Sequence, residues 1–600
     1  MKSVRRALLH ASQHLLPVTR FLICWGLVYA AVLAPLVAWA QQQLVAQSGR
    51  WAVSNEDIAV FLLSPAGLVF LAVAGILNLA FLYAQQAGLF VIASASPRDA
   101  NEGLWKLFAE NFMRIPKLVN LAALQLVAFA ALLVPFAVLV GVIAWSFLGG
   151  HDINFYLAAK PPAWVWCVRL TVVALGGYVV LAAGLFLRWL MAIPYLIRSD
   201  AGPLRCLRLS WEITRGRLRF VAGPFVVWWI GWLAVTFVAG AVYIFVARHG
   251  VGWGVSHVWA LGFLLVGLQG VALLGGLVGA SLGGVVQQFL VADLYDHLHP
   301  QEVVASPVPA QPPGLPGRFF LVAFVVALGV SAANLWWQGQ KTRDDAFVEI
   351  TAHRGSSRLA PENSLSAIRQ AIEDGAEFAE IDVQSTRDGE VVMLHDADLM
   401  RMARDPRKVE SLTLPELKQI DIGSGFSAKF QDERPATLRE VIAVARGRIK
   451  LNIELKYNRP DPELVERVLA ILRDEKFLSE CVVTSLDAES LMAFKRAAPE
   501  VPAGLIVTAA LGDFTRLPVS FLSLNAAQAD PATIDAAQRQ GKAVHVWTIN
   551  ERNDALRVMA FGVDNIITDE PAKLVKLRDV VRKFNAAELQ ALAWSARFLL

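Results

Sequence analysis

Two acidic residues, Glu380 and Asp382, sit two apart in the apolar run Phe378 to Val383, which reads as a β-strand. Residues i and i+2 of a strand face the same way, so both carboxylates project to one side. Arg387-Asp388-Gly389 then reads as a tight turn, and Val391 to Leu394 as an antiparallel return that delivers His395-Asp396 beside Glu380. Upstream, Val348 and Ile350 lead into His353-Arg354-Gly355. Glu362-Asn363-Ser364 signals a helix start ahead of Leu365, Ile368, Ala371 and Ile372 at helical spacing. Two histidines, two carboxylates and an arginine therefore converge where strands end. Solvated polar residues at strand ends are the plain alternative, but that leaves two like charges facing each other. A cation between them removes the conflict, and carboxylate ligation suits a hard ion such as Mg²⁺ or Ca²⁺.

The elements that must position these groups alternate in type. Strand patterns lie at 348–352, 378–383, 449–455, 480–484, 503–507, 520–524, 543–548 and 564–568, with helical patterns between most of them, as at 461–475, 487–497, 531–540 and 551–560. Such alternation fits a C-terminal α/β domain of the (β/α)₈ TIM-barrel type, with the hairpin 384–395 and the irregular stretch 396–436 as an excursion after strand two. On that assignment His353 follows strand one, Glu380 and Asp382 lie on strand two, Glu454 and Lys456 end strand three, and Trp547 ends strand seven. All fall on the C-terminal face, where barrels of this kind hold their active sites.

These residues resemble the glycerophosphodiester phosphodiesterase family. The matching pieces are His353-Arg354-Gly355, Pro361-Glu362-Asn363, Gly375-Ala376, Glu380-x-Asp382-Val383, Thr386-x-Asp388-Gly389, His395-Asp396, Glu454-x-Lys456 and Trp547-Thr548-x-Asn550, in that order. The resemblance implies one divalent cation, Mg²⁺ or Ca²⁺, on Glu380, Asp382 and Glu454, the alternative being ion pairs of these carboxylates with Arg354 and Lys456. It implies Arg354 and Lys456 as clamps on phosphate oxygens and Trp547 as an apolar wall, with barrel packing as the alternative for the indole. It implies His353 and His395 as catalytic acid and base, since imidazoles titrate near neutral pH. Asn363 either orients His353 or caps the first helix. The implied reaction is hydrolysis of a glycerophosphodiester to glycerol 3-phosphate and an alcohol. A lysolipid cleaved in lysophospholipase D fashion and a non-catalytic membrane regulator are the competing readings.

The first 345 residues are of another kind. Across the 600-residue chain only 18% of residues are charged, 18 are tryptophan, and the mean hydropathy is positive. Apolar runs near 21–41, 59–94, 118–148, 164–196, 220–247, 257–292 and 319–338 predict an all-α transmembrane bundle of seven crossings in a domain spanning 1–345. The barrel is then expected at 346–575 and a helical tail at 576–600. Arg and Lys cluster in 1–20, 96–117 and 197–219, whereas 42–58, 149–163 and 248–256 carry one basic residue each. The positive-inside rule then puts the N-terminus in the cytoplasm and, after seven crossings, the barrel outside a bacterial inner membrane. Ala38-Trp39-Ala40 offers a competing reading as a signal-peptidase site, without changing the topology of the remainder.

Small residues recur in the sixth span at Gly275-Gly276, Gly279-Ala280 and Gly283-Gly284, a pattern for close helix packing within one bundle or, as the alternative, between two copies in a homodimer. Residues 300–317 are rich in proline (Pro307, Pro309, Pro312, Pro313 and Pro316 among them) and read as an extended linker. Membrane lipids are expected partners. A net charge of +4 on so long a chain argues against a nucleic-acid partner. The four cysteines lie far apart without metal-binding spacing and read as free thiols.

Overall fold

The computed structural model describes residues 2–47, 52–54, 56–254, 258–299, 347–458 and 461–584, with three isolated positions at 325, 329 and 333. The proline-rich linker, the rest of the predicted seventh span and the tail beyond 584 lie outside the described residues. The chain divides into two compact units. One comprises Met1–Leu44, Leu62–Ile143 and Arg169–Leu335, and the other Val45–Phe61, Ala144–Val168 and Trp336–Leu600.

The first unit is built from helices. Among the described residues, five stretches are long and apolar enough to cross a membrane: Leu15–Ala40, Pro65–Ala93, Trp105–Leu148, Pro162–Arg198 and Leu218–Val246. They coincide with the first five predicted spans. The sixth falls within the helix Val258–Leu298. Phe21, Trp25, Phe90, Leu118, Met191 and Phe289 are buried together as the centre of this unit. Val134, Val138, Val180 and Phe237 are exposed instead, a surface that suits hydrocarbon rather than water.

The basic segments between spans are not plain loops. Pro203–Thr214 is a helix burying Cys206, Leu207, Ser210 and Thr214. Spacing of i, i+1, i+4 and i+8 puts these side chains on one face and leaves the arginines on the other. In the glycine-rich span, a side chain at Gly283 would meet the Trp232 indole at 3.2 Å, so that glycine serves close packing between helices of this unit.

The second unit contains the barrel. Its strands are β1 Glu349–Ala352, β2 Phe378–Ser385, β3 Lys450–Leu455, β4 Cys481–Ser485, β5 Ala503–Val507, β6 Phe521–Asn525, β7 Ala543–Trp547 and β8 Asn565–Thr568. Each pairs with the next in parallel and β8 returns to β1, closing an eight-stranded barrel. The connection from β5 to β6 holds a single 3₁₀ turn, Phe514–Arg516, where the other units carry a helix. Every residue of β2 is buried. Ala379, Ile381 and Val383 face the helices, while Glu380 and Asp382 face the barrel axis, so both sides of the strand are covered.

The hairpin after β2 forms as its sequence predicts, with Val391–Met393 antiparallel to β2 and Gly389 in the left-handed region at φ 85°. The last helix among the described residues, Pro571–Val581, runs across the expected boundary at 575. Its Arg578 binds both Glu377 oxygens at 2.8 Å, tying the helix to the bottom of the barrel. Two pieces from the N-terminal half also belong to this unit. Residues Ala52–Ser54 pair antiparallel with Ala510–Gly512, and the segment before the short helix Ile153–Ala159 bonds to Ala397 and Asp398.

Candidate active site

Strand register assembles the acidic groups. In the parallel pair β2–β3, Asp382 lies beside Glu454 and Glu380 beside Asn452. Glu380, Asp382 and Glu454 are all buried, and one oxygen from each lies within 4.8 Å of the others. Burial, then the neighbouring Asp382 and Glu454, push the Glu380 carboxyl well above its usual range. Burial also opposes charge at Asp382, but Lys456, His395 and Arg354 hold that carboxyl far below its usual range. Asp382 Oδ1 is buried without a hydrogen-bond donor, although Lys456 Nζ lies 3.3 Å away. Three converging carboxylates, one unsatisfied oxygen and one acid driven toward its neutral form fit a hard divalent cation.

Both predicted clamps stand against this cluster. Lys456 Nζ is 2.7 Å from Glu454 Oε1, and its pKa is raised because Glu454 and Asp382 outweigh burial. Arg354 Nη1 binds Glu362 Oε1 at 2.8 Å and its Nε lies 3.6 Å from Asp382. Ion pairing is therefore present alongside the cation geometry. Arg354 itself adopts φ 53°, which aims its backbone N–H at Glu380 Oε2, 2.6 Å away. Gly355, at φ 77°, follows because a Cβ there would come within 2.6 Å of Ala367.

The histidines are each anchored through Nδ1. His353 Nδ1 donates to Asp569 Oδ1 at 2.7 Å, and His395 Nδ1 to Asp396 Oδ1 at 2.8 Å. Nε2 of each ring is thus the nitrogen left for proton transfer. Burial disfavours the Asp569 charge, but His353, Asn550 and Ser357 lower its pKa to about 2. Asn550 reads both groups of Asp569, donating to Oδ2 at 2.6 Å and accepting from its N–H at 2.9 Å. On the other side Arg401 binds Asp396 at 2.7 Å and Glu362 at 2.6 Å, so His395, Asp396, Arg401, Glu362 and Arg354 form one chain of charge-assisted contacts.

Asn363 does neither task expected of it. Ser364 caps the helix Leu365–Glu373 by accepting from Ala367 N. Asn363, buried at φ 50°, instead turns its amide to Asp382, donating to Oδ2 at 2.7 Å and accepting from the Asp382 N–H at 3.0 Å. His353 takes its orientation from Asp569, a residue not singled out in the sequence. The signal was available: the closed barrel pairs Ala352 with Thr568, so the residues following them, His353 and Asp569, are neighbours. Arg401 lies in the irregular excursion, where no periodic pattern reveals its partner.

The site opens into a cavity of about 120 Å³ at the C-terminal ends of the strands. His353, Arg354, Glu380, His395, Glu454 and Lys456 line one side, and Leu486, Ile506 and Trp547 the other. Trp547 Nε1 donates to Ser523 O at 3.0 Å, which fixes the position of the indole in the cavity lining.

A parallel eight-stranded barrel with a polar, carboxylate-based site at its C-terminal end defines an enzyme-like (β/α)₈ scaffold. Residues 353–573 match the glycerophosphoryl diester phosphodiesterase family, and residues 5–265 match the membrane domain of glycerophosphoryl diester phosphodiesterase. A glycerophosphodiester phosphodiesterase of Caldanaerobacter subterraneus is 32% identical over 234 residues, covering 38% of this chain and 96% of that protein. One from Bacillus subtilis is 26% identical over 288 residues, covering 43% of this chain and 97% of its own length. Among solved structures, an Oleispira antarctica phosphodiesterase in complex with the product sn-glycerol-3-phosphate is 29% identical, covers 38% of this chain and 96% of that one, and has a TM-score of 0.37. The chain belongs to the glycerophosphodiester phosphodiesterase family, and it is a membrane protein.

Proposed function

We propose that this protein hydrolyses glycerophosphodiesters to glycerol 3-phosphate and an alcohol, using His353 and His395 as acid and base over a cation held by Glu380, Asp382 and Glu454. The observation that carries the reading is the buried carboxylate triad, of which Glu380 and Glu454 line one cavity with two carboxylate-anchored imidazoles. Glu380, Asp382 and Glu454 would hold a divalent cation, which when bound would neutralise charge on the phosphate. Arg354 and Lys456 stand where they can bind the remaining phosphate oxygens, whose charge grows as the diester is attacked. One imidazole removes the proton of the attacking oxygen through Nε2, either of water directly or of a neighbouring glycerol hydroxyl whose cyclic phosphate water then opens, and the other protonates the departing alkoxide. Trp547, Leu486 and Ile506 offer the apolar wall for the carbon skeleton.

Substrate class is tested in the full chain by offering water-soluble glycerophosphocholine and glycerophosphoethanolamine against micellar lysophosphatidylcholine. Release of glycerol 3-phosphate from the soluble diesters is expected. Turnover confined to the micelles, with lysophosphatidate as product, would replace this reading by lysophospholipase D chemistry.

The catalytic domain is assigned to the extracytoplasmic side of the membrane. Alternation of basic and nearly uncharged segments supports a cytoplasmic N-terminus. Further support comes from the second unit, which includes residues from both 42–58 and 149–163, two of the segments poor in basic residues. A barrel on their side requires an even number of crossings between residue 163 and residue 346, as a total of seven provides.

A further inference from the structure

We infer that Asp152, contributed by the connection between the third and fourth apolar helices, is a positioning residue for His395. The inference rests on the proposed role of His395 but stands on contacts of its own. Asp152 Oδ2 accepts from the Ala397 N–H at 3.1 Å, and the Asp152 N–H donates to Asp398 Oδ2 at 2.9 Å, so the two segments clasp each other reciprocally. The same Asp152 carboxylate caps the helix Ile153–Ala159 through Asn154 N at 2.9 Å, which fixes where the clasp can sit. Asp398 is buried, and it accepts from Met400 N at 3.0 Å, at the start of the turn of helix that carries Arg401.

Ala397 and Asp398 follow His395 and Asp396 directly. The barrel holds the near side of this segment: Asn458 donates to His395 O at 3.0 Å, and Gln384 to Leu394 O and Asp396 O at 2.9 Å each. The Asp152 loop holds the far side. Between these two grips lies the Asp396–Arg401 pair that sets the His395 ring. No comparable grip from outside the barrel reaches His353 among the described residues, because Asp569 and Asn550 come from the barrel itself. The two imidazoles of one reaction are thus positioned by different parts of the chain, and the N-terminal half completes the catalytic constellation rather than only anchoring it.

The test uses the full-length, membrane-embedded protein carrying Asp152→Ala or Asp152→Asn. With glycerophosphocholine, D152A is expected to lower kcat about tenfold, the size of one or two lost hydrogen bonds, with KM changed less than twofold. D152N, which keeps an acceptor oxygen, is expected to recover most of that loss. Combined with Asp396→Asn, D152A should cost less than the product of the single effects, whereas combined with Asp569→Asn the effects should multiply. Hydrogen–deuterium exchange of the peptide covering 396–404 should speed up in D152A, while peptides containing His353 stay unchanged. That readout tests the clasp whichever diester is the substrate. Loss of activity in His395→Ala with wild-type kcat in D152A would overturn this inference alone. Unchanged exchange at 396–404, or equal coupling of D152A to both histidine partners, would also overturn it.

Discussion

Each imidazole in the site is set by a carboxylate on Nδ1, and the two carboxylates are backed by different chemistry. Asp569 is held by neutral amide and hydroxyl groups, Asn550 and Ser357, and Asp396 by the Arg401 guanidinium. Replacing His353 or His395 by alanine should lower turnover by about 10²–10⁴. Asp569→Asn should cost roughly 10- to 100-fold, and adding it to His353→Ala should cost little more, because the carboxylate acts through the ring. Full multiplication of the two effects would show that Asp569 works some other way. Glu362 carries a pH signature. Burial raises its pKa, yet Arg401 and Arg354 bring it down to about 2. A depressed carboxylate stabilises the fold above its unfolded pKa of about 4.3, and the contribution is lost as pH falls through about 2, roughly 3 kcal/mol in all. Glu362→Gln should therefore lower the unfolding midpoint at pH 7, with the gap from wild type closing between about pH 4 and 2 in acid titrations followed by circular dichroism.

The strands and the turns after them carry the site. Gly355→Ala joins two penalties, a positive φ and a clash with Ala367, so a loss of about 1–3 kcal/mol in thermal stability is expected, with weaker substrate turnover because Arg354 moves with it. An unshifted midpoint would mean the helix Leu365–Glu373 yields more easily than its packing suggests. Positions of all eight strands were legible, since each is a short apolar run bounded by turn signals. The i, i+2 spacing of Glu380 and Asp382 also gave their shared direction directly. Register between strands was not legible from either strand alone, and it is register that sets Glu454 beside Asp382 and Asp569 beside His353. Asn363 was misread for a related reason: its left-handed backbone turns the amide away from the helix it precedes. The missing helix between β5 and β6 reflects how that connection of thirteen residues is used: Ala510–Gly512 is a strand paired with Ala52–Ser54 and Phe514–Arg516 a 3₁₀ turn.

At the scale of the whole chain, a membrane domain and a hydrolase barrel share one polypeptide, and an extracytoplasmic barrel is the proposal that the basic-segment pattern supports. An extracytoplasmic barrel would meet diesters released from envelope lipids. A reporter active only outside the cytoplasm, fused after Leu600, should be active, and protease should cut the 396–436 excursion in intact spheroplasts. Cleavage only after lysis would move the barrel inside while leaving its chemistry intact. The chemistry itself is tested most directly by following glycerol 3-phosphate released from glycerophosphocholine by the purified full-length protein, before chelation, after it, and after Mg²⁺ or Ca²⁺ is returned. Release that stops with chelator, resumes with cation, and is absent from a Glu380→Gln variant under all three conditions is the predicted result. Undiminished release from the chelated protein, or release by Glu380→Gln at the wild-type rate, would contradict the carboxylate-held cation on which the account rests.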